Sequence, residues 1–418
     1  MSLRRNINLT AWMQGDLVIW MVLLCFFMIS VVEVYSASST MSYGGKSSYW
    51  EPVLQHCLYW VIGLLAVGIV SRMPCNYFKL GGTLMLLCAI VMQIVALFAG
   101  KVNGASRWVS LFGIKFQPSE LTKLALVTYV AFIYSTLRDG RGVSPLGVKF
   151  AAFGIVPALF LIVTENLSTA VLIFVVMLGM AFYAQVRARL LAIVVVSVVS
   201  VGAAALVAAH ELPKSAIEAC AKSENSVLHR VPTWVNRITN RHELPLDAKD
   251  YDITDNVQVT HARIAVATSH GIGKGPGKSR QRDYLPQAYS DFIYAIIIEE
   301  TGIVGGGVVM ALYLILMWRC KKIAERCKSL FPSYLVMGLA LMIVLQAMVN
   351  MAVAVGAMPV TGQTLPLISR GGTSILVNCV CMGMILSVSR TAKMTSEHAG
   401  DAPSSLAGAQ PARLLTAR

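Results

Sequence analysis

Long apolar runs separated by short polar stretches set the pattern of this chain. A hydrocarbon layer roughly 30 Å thick takes about 20 residues of helix to cross, and about ten runs of that kind occur. The first four lie near Leu17–Ala37, Val53–Met73, Leu80–Phe98 and Leu121–Leu137, and the next three near Phe150–Val163, Leu167–Ala184 and Leu190–Ala209. The last three lie near Phe292–Trp318, Tyr334–Val355 and Ser374–Val388. No alternation of strand period competes with them. The pattern predicts an all-α polytopic membrane protein of about ten transmembrane helices. Phe150–Val163 is short for a crossing and Phe292–Trp318 is long, so their edges are the least defined. The first run is too long for a signal-peptide core and ends in Val-Glu-Val-Tyr-Ser, so it is expected to remain as an anchor.

Composition agrees with lipid as the solvent. The chain has 418 residues, 56% hydrophobic and 13% charged, with a mean hydropathy of +0.65, well outside the soluble range. Lys and Arg fall in alternate loops: Arg4 and Arg5; Arg138, Arg141 and Lys149; Arg187 and Arg189; Arg319, Lys321, Lys322, Arg326 and Lys328; Arg390 and Lys393. Those loops are read as cytoplasmic. Both termini then lie inside, and residues 210–291 form a large extracytoplasmic loop between the seventh and eighth spans. The expected division is a cytoplasmic N-terminus (1–16), spans one to seven (17–209), the loop, spans eight to ten (292–390), and a disordered cytoplasmic tail (391–418). The net charge of +14 reads as topology and attraction to anionic lipid head groups, with no support for nucleic-acid binding. Of nine cysteines only Cys220 falls in the long loop, so no structural disulfide is expected. The loop histidines His210, His229, His242, His261 and His270 lack the close helical spacing of a metal site.

Ionisable groups inside or at the mouth of a membrane bundle are costly and therefore candidates for chemistry. Lys101–Ser119 reads KVNGASRWVSLFGIKFQPS and runs into a span bearing Glu120 and Lys123, three residues apart and so able to neutralise each other on one helix face. Arg107 beside Trp108 suits either an interfacial anchor or a clamp on an anionic head group. In the long loop, Asn256–Thr268 places Val257, Ile264, Ala265 and Thr268 at helical spacing, predicting a short helix on the membrane surface. The run Gly271-Ile-Gly-Lys-Gly-Pro-Gly277 follows. It is either a flexible turn or a backbone that approaches a phosphate with Lys274 in its midst.

Asp291 stands at the outer mouth of a long apolar helix, in LPQAYSDFIYAIIIEETG. Ser290 or Asp291 can cap that helix, which accounts well for the acid there, and capping is compatible with a carboxylate in a half-buried groove also accepting a proton from a sugar hydroxyl. Glu299 and Glu300, two turns deeper, need partners, for which Arg107, Lys123 and Arg370 are available. MPVTGQTLPLISRGGTS (Met358–Ser374) brackets Ser369 and Arg370 with Pro, Gly and hydroxyl residues, and is predicted to wall a polar cavity, since non-helical backbone at a membrane survives only in such places. In TENLST, Glu165 and Asn166 read chiefly as a helix cap.

Three of these stretches, in this order and on one side of the topology, resemble the SEDS (shape, elongation, division and sporulation) family. NGASRWVSLFGIKFQPSELTK is similar to its Gly-Ala-x-Arg-Trp stretch followed by Gln-Pro-Ser-Glu and a Lys three residues on. GIGKGPGKS leading to LPQAYSDFIYAIIIEETG resembles Gly-x-Gly-x-Gly leading to Leu-Pro-Glu-Ala-His-Thr-Asp-Phe and a Glu pair. PVTGQTLPLISRGGTS resembles Pro-Val-x-Gly-x-x-Leu-Pro-x-x-Ser-Tyr-Gly-Gly-Ser-Ser. The resemblance covers about residues 15–390. It implies a peptidoglycan glycosyltransferase that polymerises lipid II at the outer membrane face, with a class B penicillin-binding transpeptidase and other divisome membrane proteins as partners.

The wording Thr-Leu-Pro-Leu-Ile-Ser looks more like the FtsW branch, which serves division, than the RodA branch, which serves elongation. By match to the family's acidic position Asp291 is the expected general base. Arg107, Lys123 and Lys274 are expected to stabilise pyrophosphate, alone or with a divalent cation, and Glu120, Ser369 and Arg370 to line the substrate site. Arg370 departs from the family Tyr, Gln287 from Glu, Tyr289 from His, and TENLST from Gln-Pro-Asp-Leu-Gly-Thr. The rival implication is a lipid II flippase, which needs polar groups spaced through the membrane depth, whereas a polymerase gathers them outside. A scaffold for division partners needs neither arrangement.

Overall fold

The computed structural model describes residues 14–37, 50–98, 109–111, 114–140, 142–210, 257–269, 271–285 and 289–400. Arg107, Cys220, most of the long loop and the segment after residue 400 lie outside them. Ten helices stand where the apolar runs predict: α1 (Leu17–Ala37), α2 (Glu51–Val70), α3 (Asn76–Phe98), α4 (Pro118–Thr136), α5 (Pro145–Glu165), α6 (Leu167–Tyr183), α7 (Ala188–His210), α9 (Ile293–Arg326), α10 (Leu330–Ala354) and α11 (Gly372–Gly400). Seven are long and apolar enough to cross a membrane by length and composition, and α6 and Ala188–Ala204 of α7 are shorter apolar helices. The eighth helix, α8 (Val257–Ala267), is the short loop helix that the spacing predicts.

Two details differ from the sequence pattern. Short ribbons pair β1 (Val109–Leu111) with β2 (Ile114–Phe116) and β3 (Arg138–Asp139) with β4 (Gly142–Val143), both in connections between helices. The last helix runs ten residues past the boundary drawn at 390, because no Pro or Gly interrupts the stretch Thr391–Ala399 and nothing local stops the turn from propagating.

The bundle has a dense centre and an apolar skirt. α10 packs against α9, α4, α6 and α11, and it buries residues all round rather than on one stripe. Such a helix belongs inside a bundle. α3, α5 and α7 instead turn large apolar side chains such as Leu87, Phe160 and Val201 outward, as helices facing lipid do. α8 lays Ala262 and Ala265 in the core with Val266 packed against it and leaves Ile264 exposed, so its most buried apolar contacts come from small residues.

α9 is two helices in one. At 34 residues it spans about 51 Å at 1.5 Å per residue, well beyond one hydrocarbon layer. It breaks at Gly302, whose backbone is non-helical (φ 76°, ψ −177°), a conformation essentially reserved for glycine.

Candidate functional site

Polar groups collect at one end of the bundle, where α1 and α10 end and α2, α4, α9 and α11 begin. The chain entering α9 is held there by three successive carbonyls. The Tyr289 carbonyl accepts from the Arg370 backbone N–H at 2.9 Å, that of Ser290 from Ser369 Oγ at 2.6 Å, and that of Asp291 from Asn350 Nδ2 at 2.8 Å. The Asp291 side chain above them is half-buried. It accepts the Ser290 hydroxyl at 2.8 Å and lies against Gly362, where an added Cβ would come 3.6 Å from Oδ2. The N-cap position of α9 belongs to Phe292, with no side-chain cap bond. Ser290 and Asp291 therefore stand just outside that cap position.

Residues 358–371 form the predicted non-helical wall. Gln363, Leu365, Leu367, Ile368 and Ser369 are buried. Leu367 holds φ 64°, a conformation that costs an L-residue on the order of 1–2 kcal/mol, between anchors on both sides. Tyr313 donates its hydroxyl to the Pro366 carbonyl, and Ser30 donates to that of Ile368 at 2.8 Å. Ser369 is buried too, and its Oγ also accepts from the Leu365 N–H at 2.8 Å.

Beneath this wall Glu120 and Lys123 neutralise each other as their spacing predicts, at 2.8 Å. Lys123 is only 2% exposed and also donates to Gln346 Oε1 at 2.7 Å. Gln346 in turn donates to the Thr364 carbonyl at 2.9 Å. The pair thus braces the wall through an amide, because a buried ammonium needs its remaining N–H groups satisfied.

The Gly-rich run meets the broken helix. Gly273, Gly275 and Gly277 all have positive φ, and the Lys274 and Gly275 N–H groups donate to the carbonyls of Glu299 and Glu300 at 3.0 and 2.8 Å. A Cβ on Gly273 would sit 2.4 Å from the Glu300 carbonyl oxygen, and one on Gly302 2.2 Å from that of Gly271. The two carboxylates fill the loop's nest of amides. Glu299 takes Lys274 Nζ at 2.5 Å, the Ser279 hydroxyl and the N–H groups of Arg280 and Gln281 at 3.2 Å. Glu300 takes the Ser36 hydroxyl and the N–H groups of Gly277 (2.8 Å) and Ser279 (3.3 Å). Of the partners expected for these acids, Lys123 and Arg370 are placed elsewhere and Arg107 lies outside the described residues, while Lys274 and the loop backbone take the carboxylates.

Arg370 lies over the Tyr289 ring, 5.3 Å from its centroid, and donates to Gln55 Oε1 at 3.2 Å. Asn166 caps α6 by accepting from the Thr169 N–H at 3.2 Å, as TENLST suggests, and Thr169 accepts from Gln363 Nε2 at 2.6 Å. Asn350, Gln346 and Ser36 were not singled out by sequence reasoning. Their one sequence signal is a polar residue inside an apolar run. Among the described residues no group of three or more histidines, cysteines, aspartates or glutamates is placed to hold a metal ion.

Fold and site together define a polytopic membrane protein with a polar, acid-bearing mouth at one end. The family model described as cell cycle protein, covering FtsW, RodA and SpoVE, matches residues 16–394, and the chain belongs to that family. A probable peptidoglycan glycosyltransferase FtsW from Halomonas elongata is 30% identical over 378 residues, covering 87% of this chain and 88% of its own. One from Nitrosococcus halophilus is 32% identical over 356 residues, covering 82% and 84%. Among solved structures, a chain from a peptidoglycan synthase complex that coordinates polymerization and crosslinking matches with a TM-score of 0.71. The rod shape determining protein RodA of Thermus thermophilus matches at 0.61. Each is 20% identical and covers 91% of this chain and 99% of its own, a likeness of fold.

Proposed function

We propose that this chain is a peptidoglycan glycosyltransferase of cell division, joining lipid II units into glycan strands at the outer face of the cytoplasmic membrane. The observation that carries the reading is the near full-length similarity to relatives named as peptidoglycan glycosyltransferases FtsW. Asp291 is the general base. Its carboxylate takes the proton of the acceptor sugar's 4-hydroxyl while that oxygen bonds to the donor's anomeric carbon. The bond from that carbon to the pyrophosphate oxygen breaks, and undecaprenyl pyrophosphate leaves with the electron pair. Arg370 and Arg107 are the cations assigned to the leaving diphosphate. Lys274 and Lys123, each paired with a carboxylate, act on the framework, as do Glu120 and Ser369.

Both termini lie in the cytoplasm on this reading, the site faces outward at the septum, and the partner is a class B penicillin-binding transpeptidase among other divisome membrane proteins. The deep charges Glu120, Lys123, Glu299 and Glu300 are engaged with protein partners, which disfavours a flippase path built on them. Purified protein with and without its transpeptidase, given fluorescent lipid II, tests the reading. Wild type makes a glycan ladder, and folded Asp291→Ala and Asp291→Asn lose about 10²–10⁴-fold in rate. Variants as active as wild type end the base assignment, and a wild type that never polymerises moves lipid II flipping to the front.

A further inference from the structure

We propose that Asn350 is a positioning residue for the Asp291 carboxylate, on the basis of the reaction assigned above. Asn350 is 1% exposed near the end of α10. Its single amide nitrogen donates to two main-chain carbonyls, Asp291 at 2.8 Å and Gln363 at 2.7 Å. Both neighbours are carbonyl oxygens that only accept, so chemistry fixes which way the amide faces. Its Oδ1 is buried without a hydrogen-bond partner, a penalty that an apolar residue of similar size would not carry. The donors are what the position supplies.

The two carbonyls belong to the segments that must stay in register at the mouth. One precedes α9 and carries the Asp291 carboxylate. The other is the wall residue directly after Gly362, against which Oδ2 lies. Of the three carbonyls fixed in this stretch, those of Tyr289 and Ser290 are held from the wall itself. Only at Asp291 does the donor come from a transmembrane helix, and it binds wall and acid at once. One turn earlier on the same helix face, Gln346 holds the Thr364 carbonyl with Lys123 behind it. Asn350 ties the acid's main chain to that braced wall. Without its two donors, residue 291 can slide past Gly362, and displacements of about 1 Å are enough to lower a rate about 100-fold.

The test uses full-length protein with its transpeptidase, lipid II as substrate, and the variants Asn350→Leu and Asn350→Ser. Asn350→Leu is expected to lower kcat about 10- to 100-fold with KM within about twofold of wild type, and the hydroxyl of Asn350→Ser to recover part of the loss. In an Asp291→Glu background, whose carboxylate is already displaced, adding Asn350→Leu costs less than about threefold. A merely structural role would lower the active fraction by the same factor in both backgrounds. Equal factors, an unchanged kcat in Asn350→Leu, or recovery of both Asn350 variants only as unfolded protein overturns the proposal. Wild type that makes no glycan refutes the glycosyltransferase reading first and takes this one with it.

Discussion

The two segments that meet α9 at this end of the bundle, the Gly-rich run at 271–285 and the wall at 358–371, are held by opposite chemistry. The first docks through charge. Lys274, Glu299 and Glu300 are all engaged, and loop amides take up most of the remaining carboxylate capacity. The second is held by neutral donors and acceptors: Gln346, Asn350, Ser369, Ser30 and Tyr313. In a low-dielectric interior a charge is expensive until it is paired. The charges of the Gly-rich run therefore hold structure, while the acid assigned to chemistry stands where neutral bonds fix its backbone and its carboxylate remains half-buried. A count of charged residues near the mouth does not locate the reaction.

The largest expected effect breaks the docking of the first segment. Gly302→Ala puts a side chain into a backbone conformation that only glycine adopts readily, 2.2 Å from the Gly271 carbonyl oxygen. Backbone strain and overpacking together should cost about 2–5 kcal/mol. The control on the other segment is Gly371→Ala, where φ is ordinary and the new Cβ meets Ser374 Cβ at 3.3 Å, so a loss below about 1 kcal/mol is expected. Denaturation midpoints in detergent measure both. Equal stability of the two variants would show that the loop is not seated in the break.

Lys274→Met is the intermediate case and separates holding from chemistry. The ammonium is 28% exposed while Glu299 is fully buried, so the loss should fall below the 3–5 kcal/mol typical of a fully buried pair, at about 1–3 kcal/mol. KM for lipid II should stay within about threefold. A KM raised more than about tenfold in a protein of wild-type stability would return Lys274 to the diphosphate and erase the contrast between the segments.

Much of this was legible from local pattern and the rest was not. All ten helices follow from runs of about 20 apolar residues, and the Glu120–Lys123 pair from three-residue spacing, since both depend on neighbours in sequence. The break at Gly302 had one signal: a helix too long for one crossing with a glycine two turns in. Lys274 and Glu299 are 25 residues apart, and Asn350 and Asp291 are 59 apart, so no periodicity could bring them together. Asn350 also lies in an unremarkable apolar run, where a single amide reads as a tolerated polar residue.

The smallest expected effect concerns Arg370, where the chain carries a cation in place of the Tyr of the family pattern. Its backbone N–H secures the Tyr289 carbonyl, a bond that survives any side-chain change except to proline. The guanidinium itself has a ring contact with Tyr289 and a 3.2 Å bond to Gln55, worth together no more than about 1 kcal/mol at a partly exposed site. Loss of these two contacts in Arg370→Tyr should cost no more than that margin. If the charge meets the leaving diphosphate, KM for lipid II rises about three- to tenfold at low ionic strength, and the gap closes as salt screens it over a Debye length of about 8–10 Å. Kinetics at two salt concentrations decide the point. An unchanged KM at both makes Arg370 part of the neutral wall after all, and the segment would then hold the acid without contributing a charge to the reaction.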